Sequence, residues 1–583
     1  MTDLNIFNPR DPACKTPYGA VPAGTPVTFT LRPLRTEGFS RATLIARLEQ
    51  AGNALLTLDL HRQEGSEDRD VFTGTLHTGD YTGLIWYNLR LEDGHGKVRT
   101  LGEYLLPLYD GTDRVPTWFG EGLCYQIFPD RFFRTELPDP AAFPGPRRVH
   151  RDWREEPGFG PDADGNYNRD FFGGSLRGIA EKLDDLEALG VETLYLCPIF
   201  ASAENHRYST ADYLTVDPML GTEADFQHLC AQAHKRGMRV ILDGVFSHTG
   251  SVSRYFNQDG QYDTLGAAQS RDSQYYAWYQ WQHWPDRYRS WWGIETLPNL
   301  DKTNPEYQRF VYGTAQSVVR RWLRLGADGW RLDVADELPD AFVAGIHAAA
   351  RAESPDATVL GEVWEDGVTK IAYGVRRKHL LGRHLDGLMN YPFRDALLDF
   401  LLWGTGAAFR EAMETLREHY PAFAFQNNMN FLGTHDTPRI LTMLGRGTAD
   451  KELSDLDRPL TGPERQLGLT RLRLGLVVMY CFPGAPTLYY GDEAGMEGGK
   501  DPWNRRTYPW GAEDPGLLQF CRDLGRLRKQ EPALRRGDLR WGACEGRTLT
   551  FTRALDGREV TVRVNAARGR AQITLPDGTV WKA

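Results

Sequence analysis

From Thr117 onward the chain alternates short apolar strand runs with amphipathic helices, and this alternation constrains the fold more than any other feature. Eight strand candidates can be read: Leu123–Phe128, Thr193–Cys197, Arg239–Asp243, Gly329–Asp333, Thr358–Glu362, Leu385–Asn390, Asn430–Thr434 and Pro486–Gly491. Most are near-continuous apolar runs, as strands buried on both faces require. Helices fall between them. The spacing predicts one over Tyr307–Leu325, with Val311, Ala315, Val318, Val319 and Trp322 on one stripe and Gly326 as its stop. Eight such units predict an α/β chain built on a (β/α)8 TIM barrel over residues 117–530. A doubly wound open sheet is the competing architecture, but no glycine-rich phosphate loop follows the first strand.

The flanks read differently. Residues 1–112 carry short alternating strands, such as Val27–Arg32, Leu56–Leu60 and Ile85–Leu91 before an Asp93-Gly94 turn. They predict an N-terminal β-sandwich. Residues 531–583 return to alternation and predict a small C-terminal antiparallel β domain. The longest insertion, about 244–305 after the third strand, predicts an inserted subdomain.

That insertion is rich in aromatics: nine fall between Tyr275 and Trp292. Two readings carry equal weight, a hydrophobic subdomain core and a wall on which pyranose rings stack. Trp291 and Trp292 followed by Gly293 favour a loop wall for that part. The net charge of −10 offers phosphates no basic excess and argues against nucleic-acid or anionic-membrane partners. No apolar run approaches the roughly 18 residues of a membrane span. Seven scattered cysteines without a C-x-x-C pair read as reduced thiols. The first ten residues lack basic and apolar targeting regions, so the cytoplasm is the expected location.

In a barrel of this kind the site lies at the carboxyl ends of the strands. The third strand ends in Asp243 with His248 beyond, the fourth in Arg331-Leu-Asp333, the fifth in Glu362, and the seventh runs into His435-Asp436. One carboxylate at a strand end is more often a helix cap. Four on one rim ask for another explanation. Acetal cleavage needs one protonated and one ionised carboxyl, and crowded carboxylates separate their own pKa values. Arg331, two residues before Asp333 on one strand, is expected to hold Asp333 ionised. Glu362, flanked by Val363 and Trp364 with no cation adjacent in sequence, is the candidate acid. His248, His435 and Asp436 can grip sugar hydroxyls. Chemistry alone leaves retaining and inverting outcomes open.

These residues also carry a resemblance. Asp243-Gly-Val-Phe-Ser-His248, Gly329-Trp-Arg-Leu-Asp333, Gly361-Glu362-Val-Trp364 and Phe431-Leu-Gly-Thr-His435-Asp436 resemble the four main motifs of the α-amylase superfamily, glycoside hydrolase family 13. Tyr125–Phe132, Leu194–Phe200, Leu297–Asp301 and Gly484–Glu493 add to it. The resemblance implies a retaining α-glucan hydrolase with Asp333 as nucleophile, Glu362 as acid/base and Asp436 as stabiliser of the distorted sugar. Arg331, His248, His435 and Asp243 would contact that sugar, and His206-Arg-Tyr208 is similar to the segment supplying a stacking tyrosine. Arg331–Glu337 resembles the neopullulanase, cyclomaltodextrinase and maltogenic amylase group, with Asp336 in place of its usual Asn. Asp501-Pro-Trp-Asn-Arg505 resembles its segment at the second glycone subsite, making Asp501 and Arg505 binding candidates. Ser290–Pro298 is similar to the bacterial amylopullulanases.

The substrate expected is an α-1,4 glucan, with α-1,6 linkages also within range: maltodextrins, cyclodextrins or pullulan. The alternatives are a transglycosylase or isomerase on the same residues, with Trp364, Asp336 and Glu337 bearing on that choice, and a non-catalytic glucan-binding protein. A homodimer is expected of the group. No cofactor is required for the chemistry. Calcium is expected at most as a structural group, because Ser247 stands where many relatives carry a ligating Asn. Asp162–Asn168 offers alternate oxygens without a closing Glu.

Overall fold

The computed structural model describes residues 3–139, 147–162, 165, 167–452 and 455–583. The candidate calcium loop Asp162–Asn168 therefore falls partly outside the described residues, at Ala163, Asp164 and Asn166. Two compact units are present. The first runs to Val115 and takes in Asp366–Asp386 and Met413–Phe425; the second holds Pro116–Glu365, Gly387–Ala412 and Gln426–Ala583.

In the first unit an eight-stranded sheet folds over itself. Pro26–Leu31 and Val71–His77 form one ladder, and Phe39–Leu48, Gly83–Asp93 and Val98–Tyr109 form another. Ala54–Gln63 joins both: its first half pairs with Phe39–Leu48 and its end with Val71–His77. Alternation buries every second residue of Pro26–Leu31. Val27, Phe29 and Leu31 from one layer meet Leu44, Leu89 and Leu91 from the other. This is the sandwich.

The second unit contains the barrel. Its strands are β1 (Leu123–Ile127), β2 (Val191–Leu196), β3 (Arg239–Gly244), β4 (Gly329–Leu332), β5 (Thr358–Gly361), β6 (Gly387–Leu388), β7 (Met429–Phe431) and β8 (Ala485–Tyr489). Neighbours pair in parallel from β1 through β6, and β7 pairs with β8, which pairs with β1. A parallel bridge between Met389 and Met429 closes the ring. β6 is far shorter than its apolar run suggests. A Cβ on Gly387 would lie 2.3 Å from the Asn427 carbonyl oxygen, so only glycine fits this approach. Side-chain amides replace the ladder there: Leu388 donates to Asn428 Oδ1, and Asn390 Nδ2 to Asn430 Oδ1.

The expected helix over Tyr307–Leu325 is broken. Pro305–Gln308 is α-helical, Arg309–Gly313 widens to a π turn, and Val318–Arg324 resumes the helix. Thr314 is extended, at φ −129° and ψ 167°, and Ala315 is exposed. The adjacent Gly313 and β-branched Thr314 lower helix propensity at this point, and the stripe survives only on either side.

In the insertion Trp278 and Tyr279 are core. Trp278 packs on Tyr255, Tyr307 and Phe310 at ring-centroid distances of 5.1–5.5 Å, and Trp281 lies flat on Phe256. Trp292 is 81% exposed, and Trp291 beside it is half-buried. The C-terminal sheet is a five-stranded antiparallel meander beginning at Asp538. Among the described residues no helix is long and apolar enough to cross a membrane. All seven cysteines are free and buried.

Candidate active site

Strand register builds the centre of the site. Arg331 on β4 lies opposite Asp243 on β3 and Leu360 on β5. A long side chain at that level reaches the carboxyl end of both neighbours. Its Nη1 lies 2.7 Å from Asp243 Oδ1 and 2.8 Å from Asp333 Oδ1, and its Nη2 lies 2.8 Å from Glu362 Oε2. The lack of a cation beside Glu362 in sequence is thus corrected: the cation arrives from the adjacent strand.

Three carboxylates face one buried guanidinium. Asp333 and Glu362 are each 6% exposed and Asp243 1%. Burial drives the Asp333 carboxyl well above its ordinary value, against the pull of Arg331 and with a further push from Glu362 and Asp243. Burial raises Asp243 also, again opposed by Arg331. Arg331 pulls the Asp333 carboxyl down, as the sequence suggests, but that pull is smaller than the penalty of lost water.

Glu362 is fixed through both oxygens. Trp364 Nε1 donates to Oε1 at 2.9 Å, and the Val334 backbone N–H donates to Oε2 at 2.8 Å. Val334 has φ 37° and ψ 58°, a left-handed conformation rare for a β-branched residue. That strained turn aims its N–H at the neighbouring strand's carboxylate. Trp364 itself lies flat on Tyr391, centroids 3.8 Å apart.

A second group stands across the rim. Gln126 Nε2 donates to His435 Nδ1 (2.8 Å), which assigns the imidazole proton to Nε2. Nε2 meets Tyr208 Oη at 2.6 Å, and Tyr208 donates on to Asp243 Oδ2 at 2.9 Å. Burial holds the His435 pKa well below its ordinary value, so the ring is neutral. Tyr208 and His435 stack with planes 7° apart. His206 accepts from the Tyr208 N–H at 3.0 Å and pairs with Glu204 at 3.2 Å. Asp436 lies 3.2 Å from His435 and 3.7 Å from Arg505, which pairs with Asp501 at 3.0 Å.

His248 is buried, bonded through Nδ1 to Ser247 Oγ at 2.8 Å, and its Nε2 has no hydrogen-bond partner among the described residues. Its ring centroid lies 5.5 Å from that of Trp291. The Ser247 hydroxyl meets His248 Nδ1, and the Lys302 ammonium lies 3.4 Å from the Ser247 carbonyl oxygen.

Every candidate residue from the sequence therefore lies at the carboxyl end of the barrel or in a loop beyond it. Sequence reasoning gave no role to Gln126, Tyr195 and Val334. Gln126 and Tyr195 are register partners on β1 and β2, and Tyr195 Oη donates to Asp243 Oδ2 at 2.7 Å. A polar residue inside an apolar barrel strand is the signal that marks both. Val334 offers no such signal, since its contribution is a backbone N–H.

A closed parallel barrel with a carboxylate cluster around one arginine at its carboxyl end defines a class of hydrolytic (β/α)8 proteins. Residues 126–514 match the family model described as the α-amylase catalytic domain, which is more than half of the chain. The chain belongs to the α-amylase family. It is 33% identical to an amylopullulanase of Thermoanaerobacter thermohydrosulfuricus, across 95% of this chain and 41% of that protein. It is 35% identical to neopullulanase 2 of Thermoactinomyces vulgaris, across 79% of this chain and 72% of that one. Among solved structures, the type III pullulan hydrolase of Thermococcus kodakarensis matches at TM-score 0.68 and 27% identity, covering 96% of this chain and 94% of that one. The chain spans less than half the length of the amylopullulanases it matches.

Proposed function

We propose that the chain is a retaining glycoside hydrolase that cleaves α-1,4 and α-1,6 glucosidic bonds in maltodextrins, cyclodextrins or pullulan. The observation that carries this reading is the Arg331 fork touching Asp243, Asp333 and Glu362 at three successive strand ends. Catalysis uses the state in which Glu362 holds the proton and Asp333 the charge.

Glu362 protonates the leaving oxygen, while Asp333 Oδ attacks the anomeric carbon and forms a glycosyl ester. Glu362, then a carboxylate, takes a proton from water, which attacks the same carbon and releases Asp333. The family match supports retention rather than inversion. Asp436, His435 and His248 hold sugar hydroxyls as positive charge develops on the ring. Tyr208, fixed by His435 and Asp243, is the stacking face.

We place calcium outside the chemistry, since carboxylates and one guanidinium supply acid, nucleophile and counter-charge. Seven unpaired thiols support a cytoplasmic location, where short oligosaccharides are the substrates supplied. The test is product analysis of wild type and Asp333→Asn with maltotriose, β-cyclodextrin, pullulan and soluble starch, following the new anomer by NMR. Cleavage by wild type alone with the α-anomer first is the expected result. Equal action by both proteins, or none by either, would overturn it.

A further inference from the structure

Two loops meet beside the site. The Trp503–Arg505 turn follows β8, and Arg151–Gly160 lies in the loop after β1. Asn504 and Arg505 are buried and pin their turn to the end of β7. Asn504 Nδ2 donates to the carbonyls of His435 (2.8 Å) and Thr437 (3.0 Å), and Arg505 Nε to that of His435 (3.1 Å). Trp503, half-buried, is carried on that fixed turn. The other loop is fastened to the same segment. Trp153 Nε1 donates to the Tyr508 carbonyl at 2.9 Å, and Arg506 Nε to Glu156 at 2.7 Å. Gly158 N–H donates to Asp170 at 2.9 Å.

The next residue, Phe159, lies on Trp503 with ring centroids 4.9 Å apart and planes 25° apart, yet Phe159 is 75% exposed. A single exposed phenylalanine needs no explanation. A flat two-ring stack on doubly anchored supports, beside Asp501 and Arg505, does.

Barrel topology gives its side. β1 is four strands from β5 around the eight-stranded ring, so these loops rise opposite the strand that carries Glu362. The leaving group departs beside the acid. The stack therefore flanks the part of the glucan retained on Asp333, the part with the non-reducing end. We propose that Phe159 and Trp503 form a stacking platform for a further glucosyl unit on that side, beyond the units held by Asp436 and Arg505. Pyranose C–H faces pack on such rings. The inference rests on the α-glucan reading and deepens it: linear maltodextrins long enough to reach the platform are the preferred substrates.

The test compares kcat/KM on maltohexaose and maltotriose for wild type, Phe159→Ala, Phe159→Tyr and Trp503→Ala, with melting temperatures as a check on folding. Phe159→Ala, at an exposed position, is expected to lose about fivefold on maltohexaose through KM, to leave maltotriose unchanged, and to be rescued by Phe159→Tyr. Trp503→Ala is expected to follow Phe159→Ala. Equal losses on both sugars, or no loss on either, would overturn the platform while leaving the glucan reading intact. A wild type inactive on both sugars would overturn the platform together with the reading beneath it.

Discussion

Two buried-arginine sites in the second unit differ in what surrounds the charge. At the strand ends Arg331 faces three carboxylates. Near the end of the long helix Gly462–Cys481, Arg528 and Arg553 face backbone carbonyls. Arg528 donates to Tyr480 O (2.7 Å), Gly120 O (2.8 Å) and Gly484 O (2.8 Å), and Arg553 to Cys481 O (2.9 Å) and Gly537 O (2.8 Å). Those carbonyls include the negative end of a helix, where a cation is stabilising. Burial lowers Arg528 to about 10 and Arg553 to about 9, and both remain charged near neutrality. A buried charge is thus not by itself a mark of chemistry. What marks the Arg331 site is three carboxyl groups sharing one cation at the ends of successive strands.

The comparison can be broken first at the carboxylates. Asp333→Asn and Glu362→Gln are each expected to lower kcat on maltotriose by about 10³-fold or more, measured by reducing-end release under saturating substrate. The carbonyl cage should respond in stability instead. Arg528→Met is expected to cost about 3 kcal/mol in denaturant unfolding, because several buried carbonyls lose their donor, while kcat measured well below the melting temperature stays unchanged. A loss of kcat without a loss of stability would mean the two sites are not separable in this way.

Asp333 gives a smaller effect of opposite sign. Burial raises its folded-state pKa, so the folded chain keeps a proton that the unfolded chain has released. That group's contribution to stability therefore falls as pH rises above the unfolded value. Asp333→Asn removes the loss. Calorimetry should find the gap between variant and wild type moving in the variant's favour as pH rises above about 4. A gap independent of pH would mean that repacking, and not charge, is responsible.

The aromatic insertion supplies the smallest effect. Trp292→Ala, at a ring 81% exposed, is expected to leave melting unchanged and raise KM for maltodextrins about threefold. Trp278→Ala, in the core, should do the reverse and lower the melting temperature sharply.

The parallel barrel was legible because eight apolar runs with helices between them leave few other arrangements. Its boundaries were less so. β6 shrinks to two residues, since its shortening comes from the carbonyl of Asn427, at the end of the helix before β7, pressing on Gly387. The helix over Tyr307–Leu325 kept its apolar stripe in sequence but breaks at Thr314, where local propensity overrode the period. The even split over the aromatic insertion resolved by position: Trp278 and Tyr279 are core, Trp281 is half-buried on Phe256, and Trp292 is the exposed ring.

The sequence by itself determined which side chains stand at the carboxyl ends, because strand alternation and chain order place Asp243, Arg331, Asp333, Glu362 and Asp436 there. Only the tertiary structure decided how those groups share charge. The Arg331 contact with Glu362 crosses between strands, the Val334 N–H is aimed by a left-handed backbone, and the Phe159–Trp503 stack joins loops more than 300 residues apart. Electrostatic partners and ring contacts depend on distance in space and on lost water, and neither is written in the order of the residues.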